Sequence, residues 1–108
     1  MAKNNKTTNK DVESTLEIAK ILTLSTAHIR PETAERLDNG LKGLIPVYKY
    51  EYGWIIFSTA ATYHEEDYAT LPEDLKACVS LAVKHGCDWL RLDCDGERYE
   101  GLLPLYEW

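Results

Sequence analysis

Asp93-Cys94-Asp95-Gly96-Glu97 is a run of closely spaced metal-ligating side chains. Alternate acids ahead of a glycine resemble the start of a calcium loop, in which oxygens at every second position wrap the ion. The remaining ligands and the distal bidentate glutamate of such a loop are missing, so an acidic hairpin turn is expected and no metal. Cys78, Cys87 and Cys94 are spaced by nine and seven residues, which matches no zinc pattern of closely paired ligands, and reduced, buried thiols are expected. His28, His64 and His85 lie in different segments, none with a second histidine at ligand spacing. Ser25-Thr26-Ala27-His28 together with Cys87 or Asp93 is the one set that could supply a nucleophile, a base and an orienting group. Short Ser/Thr runs at strand ends usually bond their own backbone, so no catalytic residue is assigned. The glycines at 40, 43 and 53 lack the spacing of a phosphate loop or dinucleotide fingerprint, and no cofactor is expected.

These residues must be positioned by a chain of 108 residues, the size of one domain with one hydrophobic core. Its hydrophobic content of 44% and charged content of 28% are ordinary globular values. No apolar run is long enough to span a bilayer and the first ten residues carry no apolar signal segment, so a cytoplasmic protein without a membrane partner is expected. The formal charge of −6 is unevenly spread. Residues 1–10 hold three lysines and no acid, whereas residues 64–108 hold four basic against eleven acidic residues. An acidic body opposes phosphate binding, whose affinity comes from Lys and Arg neutralising backbone charge.

Residues 1–13 are polar and predict a flexible tail, leaving 14–108 as the folded domain. Ser14-Thr15-Leu16-Glu17 has the form of a helix capping box that would open a short helix over about 15–20; against it, the β-branched apolar run allows a strand from as early as Ile18, and a strand over 20–26 is expected. Pro31 at a first helical position and Asn39-Gly40 as a stop predict a helix between them. Residues 46–58 read as a hairpin turning at Glu51-Tyr52-Gly53, with Gly53 supplying a positive φ. Residues 59–70 read as a long connection. From Leu71 the spacing of Leu75, Val79, Ala82 and Val83 predicts a helix that stops at Gly86. In the next strand Leu90, Leu92 and Cys94 alternate with Trp89, Arg91 and Asp93, the first set facing the core. Leu102 to Trp108 reads as a last extended segment, an edge strand because of Pro104.

The order β-α-β-β-α-β predicts an α+β, ferredoxin-like sandwich: two helices on one face of an antiparallel sheet, with an extra C-terminal strand possible. Its second face would be open and would carry Tyr48, Tyr50, Trp89 and Arg91. Two acidic groups are the other candidate contacts: Glu65, Glu66 and Asp67 in the connection, and Asp93, Asp95 and Glu97 in the turn.

Three segments, LTLSTAHIRPETAERLD at 22–38, LPEDLKACVSLAVKHGCDWLRLDCDGE at 71–97 and LPLYEW at 103–108, resemble a family of small uncharacterised bacterial proteins of prophages, plasmids and genomic islands. The resemblance implies a context and no chemistry. Small acidic proteins of mobile elements commonly bind host proteins, including as anti-CRISPR or anti-restriction inhibitors. The expected function is therefore surface binding of a host protein. A single-stranded nucleic-acid-binding module using the aromatic face is the alternative, and self-association is a further way to cover that face.

Overall fold

The computed structural model describes residues 12–108. The predicted tail falls on 1–13 and therefore lies almost wholly outside them. Apolar alternation and β-branching produce four strands, β1 (Ile21–Ser25), β2 (Val47–Tyr50), β3 (Gly53–Phe57) and β4 (Trp89–Asp93). The helices are α1 (Pro31–Asp38), α2 (Ala60–Tyr63), α3 (Glu65–Ala69) and α4 (Glu73–Lys84). α1 begins on Pro31, whose fixed φ suits a first helical turn, and α4 ends before Gly86 at φ 72°. No helix among the described residues is long and apolar enough to cross a membrane.

The sheet order is β1-β4-β3-β2, with β1 parallel to β4 and the other neighbours antiparallel. This corrects the ferredoxin-like expectation, in which β3 and β4 run in the same direction with β1 between them. The cause lies in residues 59–70. Instead of an irregular connection they form α2 and α3, which make their own pass before α4 returns. Ser58 and Thr59 N–H both donate to Asp88 O, at 2.9 and 3.3 Å, so the excursion starts and ends at the same end of the sheet. β4 must then run back beside β3, and β1 takes the edge.

Register divides the strands by face. Leu22, Leu90, Ile56 and Val47 form one row across the inner face, and Leu24, Leu92, Trp54 and Lys49 the next. α4 packs over β1 and β4 and α1 beside β2, burying Leu24, Ile56, Leu90 and Leu92 completely against Leu37, Leu75, Cys78 and Val79. Full burial of each such side chain contributes about 1.5–3 kcal/mol. The two helices are tied at their N-termini by buried Asp74, which accepts from Arg30 N–H at 2.7 Å and from the Thr33 hydroxyl at 2.7 and 2.9 Å.

Three local expectations are corrected. Among the described residues, helical structure ahead of β1 lies at 12–14 and not at 15–20, and residues 16–20 are exposed and irregular. Gly53 does not take a positive φ; it lies inside β3, where an added Cβ would fall 1.8 Å from Leu92 O. The chain after α1 instead turns through Gly40, Leu41, Lys42 and Gly43, all at φ between 53° and 78°. A left-handed conformation costs about 1–2 kcal/mol at each of the two non-glycine residues, which the full burial of Leu41 helps to offset. Finally, residues 98–108 form no strand. They cross the end of β1, held by Tyr106 N–H to Ala27 O at 2.8 Å and by the Trp108 indole N–H to Ile29 O at 3.0 Å.

Candidate interaction face

Nothing among the described helices covers the outer face of the sheet, and its composition follows from register. Ile21, Trp89 and Phe57 make one row, Thr23, Arg91, Ile55 and Tyr48 the next, and Ser25, Asp93, Gly53 and Tyr50 the third. Tyr48, Tyr50, Trp89 and Arg91 thus lie on one face. Trp89 is the hub: its ring centroid is 4.8 Å from that of Phe57 and 6.1 Å from that of Tyr48, both tilted. Tyr48 is 58% exposed. Phe57 belongs to this cluster although the sequence reading did not select it; the strand parity that grouped it with Ile55 was the available signal.

The charged members of the face are Arg91 and Asp93. Arg91 Nε–H donates to the Thr23 hydroxyl at 3.0 Å, which leads the guanidinium toward the β1 edge. The Tyr50 hydroxyl donates to Asp93 Oδ2, and Asp95 N–H donates to Asp93 Oδ1 at 2.7 Å. These two bonds, the phenol first, hold the Asp93 carboxyl below its ordinary range. Burial, and then the bond to Asp93 and its charge, push the Tyr50 phenol up from 10.0 to about 12. Folded protein therefore holds this proton more tightly than unfolded chain does. The resulting stability is fully present below pH 10 and is lost as pH rises toward 12. Wild type should lose more stability across that window than Tyr50→Phe, measured by denaturant unfolding at each pH. Parallel curves would contradict the assignment.

The six acids do not form one patch. Glu65, Glu66 and Asp67 occupy the first turn of α3, a helix held against α4 by the Tyr68 hydroxyl, which donates to Lys76 O at 2.9 Å. Asp93 closes β4, and Asp95 and Glu97 follow it in the turn, on a different element from α3. Donor atoms of Asp93, Cys94 and Asp95 come within 4.8 Å of one another, but both Asp93 oxygens already accept hydrogen bonds that shape the turn. Cys94 does not face the core: β4 stops at Asp93, and the Cys94 side chain is exposed. Of the three thiols only Cys78 is buried, and burial pushes it up to about 12.

The possible nucleophile set is dispersed into structural roles. Ser25 Oγ accepts from Ala27 N–H at 3.0 Å, capping a 3-10 turn over Thr26–His28. His28 is buried, with Nδ1 2.8 Å from Pro104 O and Nε2 accepting from Tyr99 N–H at 2.9 Å, so both ring nitrogens are occupied by backbone. An open cleft of ≈ 740 Å³ borders Ser25, Cys94, Arg98 and Trp108, and His28 does not line it.

No curated protein and no solved structure matches this chain. Residues 21–108, from the first residue of β1 to the C-terminal tryptophan, match the C-terminal domain of a family of unknown function, DUF5983. The matched region contains every strand, every contact of the outer face and the segment that closes over His28, and the chain accordingly belongs to the DUF5983 family through that C-terminal domain.

Proposed function

We propose that this domain is a binding protein, not an enzyme, and that its outer sheet face receives a protein partner. The observation that carries the reading is the uncovered aromatic cluster of Tyr48, Phe57 and Trp89 beside Arg91. Aromatic and arginine side chains are the usual anchors of protein interfaces, because they bury large rigid areas at little entropic cost. On the resemblance to proteins of prophages, plasmids and genomic islands, the partner is a host protein. The two acidic groups, on α3 and in the turn after β4, suit a basic, nucleic-acid-binding surface such as that of a CRISPR or restriction nuclease, which the domain would occupy and inhibit.

Single-stranded nucleic acid is the weaker occupant. Such modules combine stacking rings with a groove of positive charge, and Arg91 is the only cation in the three outer rows. Lys49 points to the inner side, where its ammonium contacts Asp38 at 2.7 Å.

The test is affinity capture from host lysate with wild type, Tyr48→Ala/Arg91→Ala, and charge reversals of Glu65/Glu66/Asp67 and of Asp95/Glu97 made separately. Loss of a hot-spot pair costs on the order of 2–4 kcal/mol, so the face variant should lose its partner while its thermal melt stays close to wild type. Each charge reversal should weaken capture less. Undiminished capture by the face variant would refute the reading, and a gel shift of single-stranded DNA or RNA at low salt would favour the alternative.

A further inference from the structure

Ahead of β1 the chain carries apolar side chains where a solvated linker has no use for them. Leu16 is 56% and Ile18 79% exposed, and Glu17, Ile18 and Ala19 make no hydrogen bond among the described residues. Continued through β1, the two-residue period puts Leu16 and Ile18 on the same side as Leu22 and Leu24. That side of the β1 edge opens into an apolar groove of ≈ 360 Å³ between Leu22 and Leu24, Leu81 of α4 and His85 at its C-cap, and Tyr99 and Leu102 of the C-terminal segment.

The edge beside the groove is ready to pair. Lys20 O accepts from Asp88 and Trp89 N–H, so Lys20 directs its backbone toward β4. Alternation then turns the backbone groups of Ile21 and Thr23 outward, while Ser25 N–H is taken by Glu97 O. Natural edge strands usually carry charge, proline or a bulge to prevent pairing, and Ile21-Leu22-Thr23-Leu24-Ser25 has none of these.

We propose that β1 and the arm before it form the contact between two copies of this chain. The strands run antiparallel about a two-fold axis, and the arm of each copy lies along the β1 edge of the other. In the register that matches the outward backbone groups, Ala19 pairs with Ile21 and Glu17 with Thr23 of the second copy. Ile18 then faces Leu22, Leu16 faces Leu24, and both apolar arm residues enter the partner's groove. Charge agrees on the opposite face. Glu17 arrives at Thr23, over which the Arg91 guanidinium already leans, and among the described residues Arg91 is the only cation in the outer strand rows. Lys20 meets its own counterpart at the axis, but its ammonium is drawn aside to His85 O at 3.3 Å. The two sheets become one, with both aromatic faces on the same side. This contact shares Arg91 with the proposed partner face but does not depend on which partner that face binds.

Sedimentation equilibrium of the full chain from low micromolar to several hundred micromolar tests it. Wild type should move from 12.3 kDa toward twice that mass, with a dissociation constant on the order of micromolar for a contact at the small end of stable interfaces. Ile18→Lys should stay monomeric across the range with an unchanged melt, since the side chain is exposed. Glu17→Arg should weaken association and Glu17→Arg/Arg91→Glu restore it. A wild type at 12.3 kDa throughout, or an Ile18→Lys that associates as wild type does, overturns the proposal. Failure of the charge swap to restore association overturns the register.

Discussion

Gly53→Ala should destabilise the domain by about 3 kcal/mol or more, among the largest effects open to a single methyl group. A Cβ built on Gly53 falls 1.8 Å from Leu92 O and 2.8 Å from its carbonyl carbon, both rigid backbone atoms in the centre of the sheet. No rotamer change relieves that contact; β3 and β4 must separate. Those strands are paired from Gly53↔Asp93 to Phe57↔Trp89, so separation breaks the ladder that carries Trp54, Ile56, Leu90 and Leu92 into the core. The melting temperature should fall by about 12 °C or more. Gly101→Ala, with nothing within 4 Å of the added carbon, is the control and should stay within about 0.5 kcal/mol of wild type. A Gly53→Ala melt close to that of the control would show that the strands can relax around the methyl.

His28→Ala should cost about 3–5 kcal/mol and loosen the last eleven residues from the body. A backbone N–H can only donate, so Tyr99 N–H requires an unprotonated Nε2, and Nδ1 must then carry the proton it gives to Pro104 O. The ring is 1% exposed. Alanine would leave a cavity, an unpaired N–H and an unpaired carbonyl, and leave the Ala27–Tyr106 and Ile29–Trp108 bonds to hold the segment without their neighbour. Hydrogen exchange should therefore accelerate at the Tyr99 and Tyr106 amides beyond the change expected from global stability. In the wild type, nitrogen NMR should report the Nδ1–H tautomer. An Nε2–H tautomer, or protection at Tyr99 that survives the substitution, would remove His28 from this role.

Both sites show why a sequence reading stops where it does. Gly53 looked like a turn residue because glycine next to Tyr52 in a hairpin usually supplies a positive φ. Its actual constraint is the distance to Leu92, 39 positions away in sequence, and no local pattern encodes that distance. His28 stood beside Ser25 as a candidate base because adjacency in sequence suggested adjacency in a site. Its partners are instead Tyr99 and Pro104. LLPLYEW carried strand-like apolar residues, but its tyrosine, tryptophan and carbonyls are used against the Ala27–Arg30 corner, including an Arg30 guanidinium 4.7 Å from the Tyr106 ring centroid.

The sequence by itself determined what depends on near neighbours along the chain. The helix from the first turn at Glu73 to the stop at Gly86, the hairpin around Glu51-Tyr52, and the division of Trp89–Asp93 into Leu90 and Leu92 inward against Trp89 and Arg91 outward all follow from period, capping and parity. These are energies of residues one to four apart. Tertiary structure alone decided the sheet order, because two short helices between Ala60 and Ala69 reverse β4 relative to the ferredoxin-like path at no cost visible in periodicity. It also decided that the acids fall into two groups on different elements, one on α3 beside α4 and one at the end of β4 and the turn after it. That β1 became an edge beside an apolar groove, with Leu16 and Ile18 left in solvent, followed from the same reversal.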